Sequence, residues 1–329
     1  MALGPIPARW RCDGSGDHQS RHPALDGPRP FRAAASLVRR PSGRGCRSRW
    51  GRLVILRQSH FVPPVPYLLA AELGFLEKIE VQPTRTTSSA EQLAGLLDGT
   101  IDVAITAMDN VFEWDRAGAD VRLIAQVETT TPLGIYARDE MATMADLVGC
   151  RFAVDAPDNG FALLARHLLG SAGIDVDYVV IGGVRERFEA LLVGEIDASL
   201  LGPPFDKLAE QAGMRCVSQV NELLPQLPGQ GLVVRTELLG SKELTGYLRA
   251  LARGAAAGES MDEQAGVALL ERHGYQAAAA TAWAARARTL TVDPIGLELL
   301  TQIRRGLGIL SGRKPLAELC EAGPLLRAS

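Results

Sequence analysis

Aromatic residues are scarce: Phe, Trp and Tyr together make up 5% of the 329 residues. A surface that stacks successive nucleobases on protein rings is therefore not expected. No stretch approaches the roughly 18 apolar residues of a membrane span. The five cysteines, Cys12, Cys46, Cys150, Cys216 and Cys320, form no CxxC pair and no Cys/His cluster at zinc spacing. Their odd number and wide spacing argue against a disulfide framework and fit buried free thiols in the body. Cys150, just ahead of a strand, falls at the end away from any strand-end site. A G-x-G-x-x-G phosphate loop is also missing, so Gly182-Gly183 reads as a tight strand-to-helix turn. No metal and no cofactor are expected.

Lysine is absent from the first fifty residues, which carry ten Arg, three Asp and no Glu, or +7. The whole chain is −3, so the remainder carries −10. An acidic body has no general attraction for nucleic acid or anionic membranes. Residues 1–50 are rich in Arg, Pro, Gly and Ser and read as a disordered extension. Their best apolar run, "AAASLV", is cut off by Arg39 and Arg40 and falls short of a secretory core of about 7–15 residues.

What is present begins at Leu53. Strand and helix patterns alternate: "LVILRQ", a helix over 65–73 stopped by Gly74, "IEVQPT", a helix opened by Ser88 and Glu91 as a capping box, "IDVAIT", and a helix opened by Asn110 and Glu113. Strand-helix alternation of this kind marks an α/β fold with a mostly parallel sheet. The pattern then repeats. "LLDGTIDVA" from Leu96 and "LLVGEIDAS" from Leu191 lie 95 residues apart, and Glu91 matches Glu186 at the same offset. Two similar lobes are expected. The chain crosses between them near Thr129–Pro132 and returns near Pro225–Gly231, giving lobe 1 as 51–131 plus 223–329 and lobe 2 as 132–222. Asp102 and Asp197, repeated at the strand starts, suggest a role in the fold. Residues 241–329 read as helices that pack back onto lobe 1.

The segments "YLLAAELGFLEKIEVQ", "LLDGTIDVAITAMDNV", "ADLVGCRFAVDAPDNGFALLARHLLGSAGI" and "LLVGEIDASLLGPPFDKLAEQAGM" resemble the type II periplasmic-binding-protein fold. More narrowly, they are similar to the ABC-transporter substrate-binding family that includes alkanesulfonate, taurine and thiamine-pyrimidine binders. The resemblance covers about residues 52–325. It implies capture of a small-molecule ligand between two lobes that close on a two-strand hinge, delivery to an ABC permease, and an extracytoplasmic location.

Open α/β sheets bind ligands beyond the carboxyl ends of their strands. In lobe 1 those ends carry Ser59, His60 and Phe61, the stretch Thr84 to Thr87, and Met108, Asp109 and Asn110. In lobe 2 they carry Pro157, Asp158, Asn159, Gly160 and Phe161, then Pro203 and Pro204 ahead of a helix. Asn110 and Asn159 would give neutral hydrogen bonds, and His60 and Phe61 would donate to and stack on a ring. Helices starting near Asp109 and Gly160 would aim backbone N–H groups into the cleft and favour an anion. Asp109, Asp155 and Asp158 either cap their own helices or oppose an anion and favour a cation. No catalytic residue is assigned. The competing class is a cytoplasmic enzyme on the same fold, of decarboxylase, desulfinase or pyrimidine-synthesis type. A transcription-regulator effector domain would need an N-terminal helix-turn-helix, which residues 1–50 lack.

Overall fold

A computed structural model describes residues 55–158, 160–309 and 312–328. The expectation for residues 1–50 and the one for Asn159 lie outside the described residues. Among the described residues, ten strands form two five-stranded sheets. The first contains β1 (Ile55–His60), β2 (Glu80–Arg85), β3 (Val103–Ala107) and β4 (Val121–Gln126). The second contains β5 (Gly134–Ala137), β6 (Arg151–Val154), β7 (Asp177–Val180), β8 (Ala198–Leu201) and β9 (Arg215–Gln219). The last strand, β10 (Gln230–Arg235), returns to the first sheet.

The two sheets have the same plan. The orders are β2-β1-β3-β10-β4 and β7-β6-β8-β5-β9. In each, three strands are parallel and a fourth, reached by a crossing from the other sheet, runs antiparallel between its neighbours. The internal repeat explains this. Asp102 accepts the Arg57 backbone N–H at 2.9 Å and the Arg57 Nη2 at 2.7 Å. Asp197 accepts the same two bonds from Arg151, at 2.9 and 2.7 Å. The repeated Ile-Asp thus ties the start of one parallel strand to the next, a fold role in both lobes. Strand β9 has no counterpart in the sequence reading. It carries Arg215, Ser218 and Gln219, is half-exposed, and pairs only with β5, so it lacks the apolar alternation of a covered strand.

The capping reading of Ser88 needs one amendment. Ser88 Oγ accepts the Glu91 N–H at 3.1 Å, but Glu91 reaches back to the Thr87 N–H at 2.8 Å. The C-terminal helices also differ from expectation. The helix Lys242–Ser260 packs on lobe 1, where Gly254 allows the backbone of Pro66 to approach within van der Waals contact. However, Leu269, Leu270, Tyr275 and Trp283 join Phe188, Phe205 and Ala209 of lobe 2 in one apolar cluster. The helix Pro294–Gly306 reaches lobe 2 as well, against Ala162–Ser171. These helices cover apolar surface of both lobes.

Candidate functional site

The carboxyl ends of β1, β3, β6 and β8 face one another across a cleft enclosing about 760 Å³, mouth included. Lobe 1 supplies Phe61, Val62, Thr106, Ala107 and Asn110. Lobe 2 supplies Val154, Asp155, Phe161, Val184, Arg187 and Leu200, among others. The hinge adds Thr131, Leu133 and Gln230. The walls are mostly aliphatic and aromatic, with a few convergent polar groups, as in small-molecule sites generally.

Polar contacts run directly between the lobes across the cleft. Asp155, after β6, accepts the N–H of Ser89, the first residue of the lobe 1 helix Ser89–Asp98, at 3.0 Å. Asp109, after β3, accepts the N–H of Gly160, just ahead of the lobe 2 helix Ala162–Ser171, at 3.1 Å. Each lobe therefore caps the opposing lobe's helix start with its own carboxylate. The Gly183 N–H donates to the Thr87 carbonyl at 2.5 Å, and Arg85 pairs with Glu186 at 2.8 Å. The described conformation is closed.

Five of the residues expected at the site line the cleft: Phe61, Asn110, Gly160, Phe161 and Pro203. Asn110 donates from Nδ2 to Thr106 Oγ1 at 2.6 Å, while its buried Oδ1 has no hydrogen-bond partner among the described residues and lies beside Gly160. Gly160 has φ +59°, and a Cβ there would meet that oxygen at 3.0 Å, so a glycine suits both backbone and packing.

The other described candidates do not line the cleft. Ser59 is buried under the sheet and accepts from Gln92 Nε2 at 3.3 Å. His60 is buried beside Gln58 Nε2, 3.2 Å from its Nδ1, and burial with the nearby Arg85 charge lowers its pKa to about 4. Met108 belongs to the apolar core. Asp158 is exposed, paired with Arg166 at 2.5 Å; Arg166 also donates to the Pro157 carbonyl at 2.9 Å. Pro204 stands at the N-cap position of the helix Phe205–Gln211 and makes no capping bond.

Asp109 does neither of the things anticipated for it. Its side chain makes no bond to its own helix Asn110–Arg116. Its Oδ2 instead accepts from Arg304 Nη1 at 2.9 Å, and Arg304 is fully buried on the helix Pro294–Gly306. Burial raises the Asp109 pKa to about 6 against the pull of Arg304. The carboxylate is consumed by an ion pair and a trans-lobe cap, so its charge does not stand free in the cleft.

Sequence reasoning missed Arg187, which is 7% exposed and lines the cleft. The signal was present. Val184, Arg187, Phe188 and Leu191 fall at i, i+3, i+4 and i+7, so the arginine lies on the apolar face of its helix. Gln230, whose N–H meets Glu128 Oε2 at 3.3 Å, was also missed.

Among the described residues, no group of three or more His, Cys, Asp or Glu is placed to hold a metal. No helix there is long and apolar enough to cross a membrane. Cys150 is buried in the core, and Cys216 and Cys320 are free thiols.

A family model described as NMT1/THI5 like matches residues 64–264, more than half of the chain. No curated protein matches the sequence. Among solved structures, the ligand-binding component of an ABC-type import system from Staphylococcus aureus, with zinc bound, is similar at TM-score 0.71 and 16% identity, covering 84% of this chain and 99% of that one. The alkanesulfonate-binding protein SsuA from Xanthomonas axonopodis pv. citri, bound to MOPS, is similar at 0.66 and 18%, covering 81% and 98%. The periplasmic aliphatic sulphonate binding protein SsuA from Escherichia coli is similar at 0.60 and 20%, covering 80% and 91%. At these identities the likeness shows the fold, two α/β lobes of the periplasmic-binding type.

Proposed function

The chain belongs to the NMT1/THI5-like family, and on that premise we propose that it is a solute-binding protein. It captures one small organic molecule between its lobes and presents it to the permease of an ABC-type importer outside the cytoplasm. The observation that carries this reading is the cleft itself: its walls come from both lobes and the hinge, and bonds between the lobes close it. A molecule that touches both lobes gains most of its contacts only when they close, which couples binding to a change of shape that a partner can read. The similar import-system components, by their printed names, bind ligands and sulfonates, and this supports the same role here.

Residues 51–131 with 223–329 form lobe 1 and residues 132–222 form lobe 2 in this proposal. The ligand contacts are Phe61, Asn110, Gly160, Phe161 and Pro203, extended by Thr106 and Arg187. The role is capture without conversion. The cleft-facing hydroxyl, amide and guanidinium groups of Thr106, Thr131, Asn110, Gln230 and Arg187 suit binding and orientation, and His60 stays neutral above about pH 4 behind the wall.

The test is scattering. A compound that raises the melting temperature should lower the radius of gyration of the protein to the value of the closed form. A saturating compound that leaves the radius unchanged, and is itself consumed, overturns the reading.

A further inference from the structure

The helix Pro294–Gly306 touches three parts of the molecule. At its start, Gly296 packs on Pro228 in the return crossing, so closely that a Cβ would meet that ring at 2.6 Å. Along its length it packs against the lobe 2 helix Ala162–Ser171, with Leu297, Leu300 and Ile303 in the same apolar cluster as Leu163 and Leu164. Near its end, Arg304 reaches into lobe 1. Its Nη1 donates to Asp109 Oδ2 at 2.9 Å, and its Nη2 lies 3.5 Å from Glu113 Oε2. Its guanidinium stands 5.4 Å from the centre of the Phe112 ring.

These ties meet at Asp109. The oxygen that takes the Arg304 N–H also accepts the N–H of Gly160 from lobe 2, at 3.1 Å. Asp109 is 2% exposed, and a carboxylate so buried is tolerated when it is paired. Arg304 supplies that pairing, and even against its pull burial keeps the Asp109 pKa raised. The other cap between the lobes makes the contrast. Asp155, which takes the Ser89 N–H, is half-buried, and water shares the cost of its charge. Asp109 lacks that access. The turn it holds also matters to the cleft, because Gly160 stands beside Asn110 Oδ1 and leads directly into Phe161, all three in the wall.

Resting on the two-lobe capture reading above, we infer that Arg304 is a positioning residue for capture: by pairing Asp109 it holds that carboxylate aimed at Gly160 and so weights the lobes toward the closed form. Arg304 does not itself line the cleft. It acts through Asp109, from a helix that also rests on the return crossing and on lobe 2. The lobes still exchange between open and closed. When they part, Gly160 leaves Asp109 and water takes its place. Without Arg304, closing would strip that water from an unpaired carboxylate, and the balance would move toward the open form.

The test reads the lobes of the full chain by amide hydrogen exchange in NMR, with no compound added. The sequence contains one Asn-Gly pair, 159–160, and one Gly-Gly pair, 182–183. Isotopic labelling of the first residue's carbonyl and the second residue's amide therefore gives single signals for Gly160 and Gly183. Both N–H groups bond across the lobes, to Asp109 and to the Thr87 carbonyl, so both exchange from the open form. The Gly149 and Gly194 N–H groups bond inside lobe 2, to the Asp175 and Leu191 carbonyls, and serve as controls. Arg304→Met should speed exchange at Gly160 and Gly183 by about threefold or more and leave the controls unchanged. Adding Asp109→Asn removes the stranded charge, keeps an oxygen for Gly160, and should return both rates most of the way to wild type. Unchanged rates in Arg304→Met overturn the inference. So do acceleration at Gly160 alone, equal acceleration at the controls, and acceleration that Asp109→Asn does not reverse. Should Arg304→Met fail to fold, the double variant with Asp109→Asn is compared with one carrying Asp109→Ala, which lacks the accepting oxygen. Faster exchange at Gly160 and Gly183 in the Asp109→Ala double variant is expected; equal rates, or a double variant with Asp109→Asn that does not fold, overturn the inference. The capture reading fails separately, through a thermal-shift hit that stays bound when Val184→Trp fills the cleft, whatever the amide rates show.

Discussion

Replacing Glu128 with glutamine should stabilise the protein at alkaline pH and do nothing in acid. Glu128 lies in the crossing from β4 to β5 and joins it to the return crossing. Its Oε2 accepts from Thr131 Oγ1 at 2.5 Å and from the Gln230 N–H at 3.3 Å. Burial raises its pKa from 4.5 to about 7, with those hydrogen bonds pulling the other way. For an acid whose folded pKa is raised, the favourable contribution is complete below the unfolded value, near pH 4.5. It fades as pH climbs through 7. At 1.36 kcal/mol per pH unit, the ionised carboxylate costs about 3 kcal/mol by pH 8 or above. Glutamine keeps a carbonyl oxygen for Thr131 and Gln230 and carries no charge. Glu128→Gln should therefore melt with wild type at pH 4.5 and about 6 °C above it at pH 8.5, at roughly 2 °C per kcal/mol for a body of this size. Scanning calorimetry across that range measures it. A difference independent of pH, or a variant less stable than wild type at pH 8.5, would refute the reasoning and make the ionised carboxylate a structural acceptor.

Two further outcomes follow from the repeated elements. Asp102→Asn should cost about 2–3 kcal/mol at pH 7, because it weakens charge-assisted bonds to Arg57 and Arg235 at a nearly buried site. Asp197→Asn should cost less, since its partner Arg151 is more exposed. Burial works against the Asp102 charge but the arginine bonds outweigh it, and bonds from Arg151 lead at Asp197, so both pKa values are lowered. The stability they confer is present above about pH 4 and is lost as pH falls through the folded pKa, so the variants should converge with wild type in acid; urea titrations at pH 7 and pH 3 would show otherwise if the pairs were idle. Gly183→Ala should loosen closure without backbone strain, because φ is −64° but a Cβ would meet the Thr87 carbonyl at 3.0 Å and Glu186 Oε2 at 2.7 Å. Its radius of gyration should exceed that of wild type, and an unchanged radius would mean that the Thr87–Gly183 contact does not set the gap.

The legible part of this protein is the part written in local chemistry. The repeated Leu-Leu-x-Gly-x-Ile-Asp carries a helix end, a turn and the aspartate ahead of a strand in seven residues, and in both lobes that aspartate binds the arginine at the start of the neighbouring strand. Strand ends could be located because apolar runs such as "IDVAIT" stop where the cleft begins. What escaped notice depends on contacts far apart in sequence. Asp109 looked like a free or capping carboxylate because its partner, Arg304, lies 195 residues away. His60 follows a strand and looked available, yet neighbouring strands and helices bury it. Arg187 was readable from its place on an apolar helix face, but in "RERFEALL" it stands among other charges and passes for a solvent-facing one. Half-exposed edge strands such as β9 carry too little periodicity to register at all.

Capture without conversion is tested most directly by native mass spectrometry of the purified protein held for several hours with the tightest-binding compound of a thermal-shift screen. The account predicts a one-to-one complex whose added mass stays equal to that of the intact compound and which disappears in Val184→Trp. A complex whose added mass drifts to that of a product, or one that persists in Val184→Trp, would contradict it.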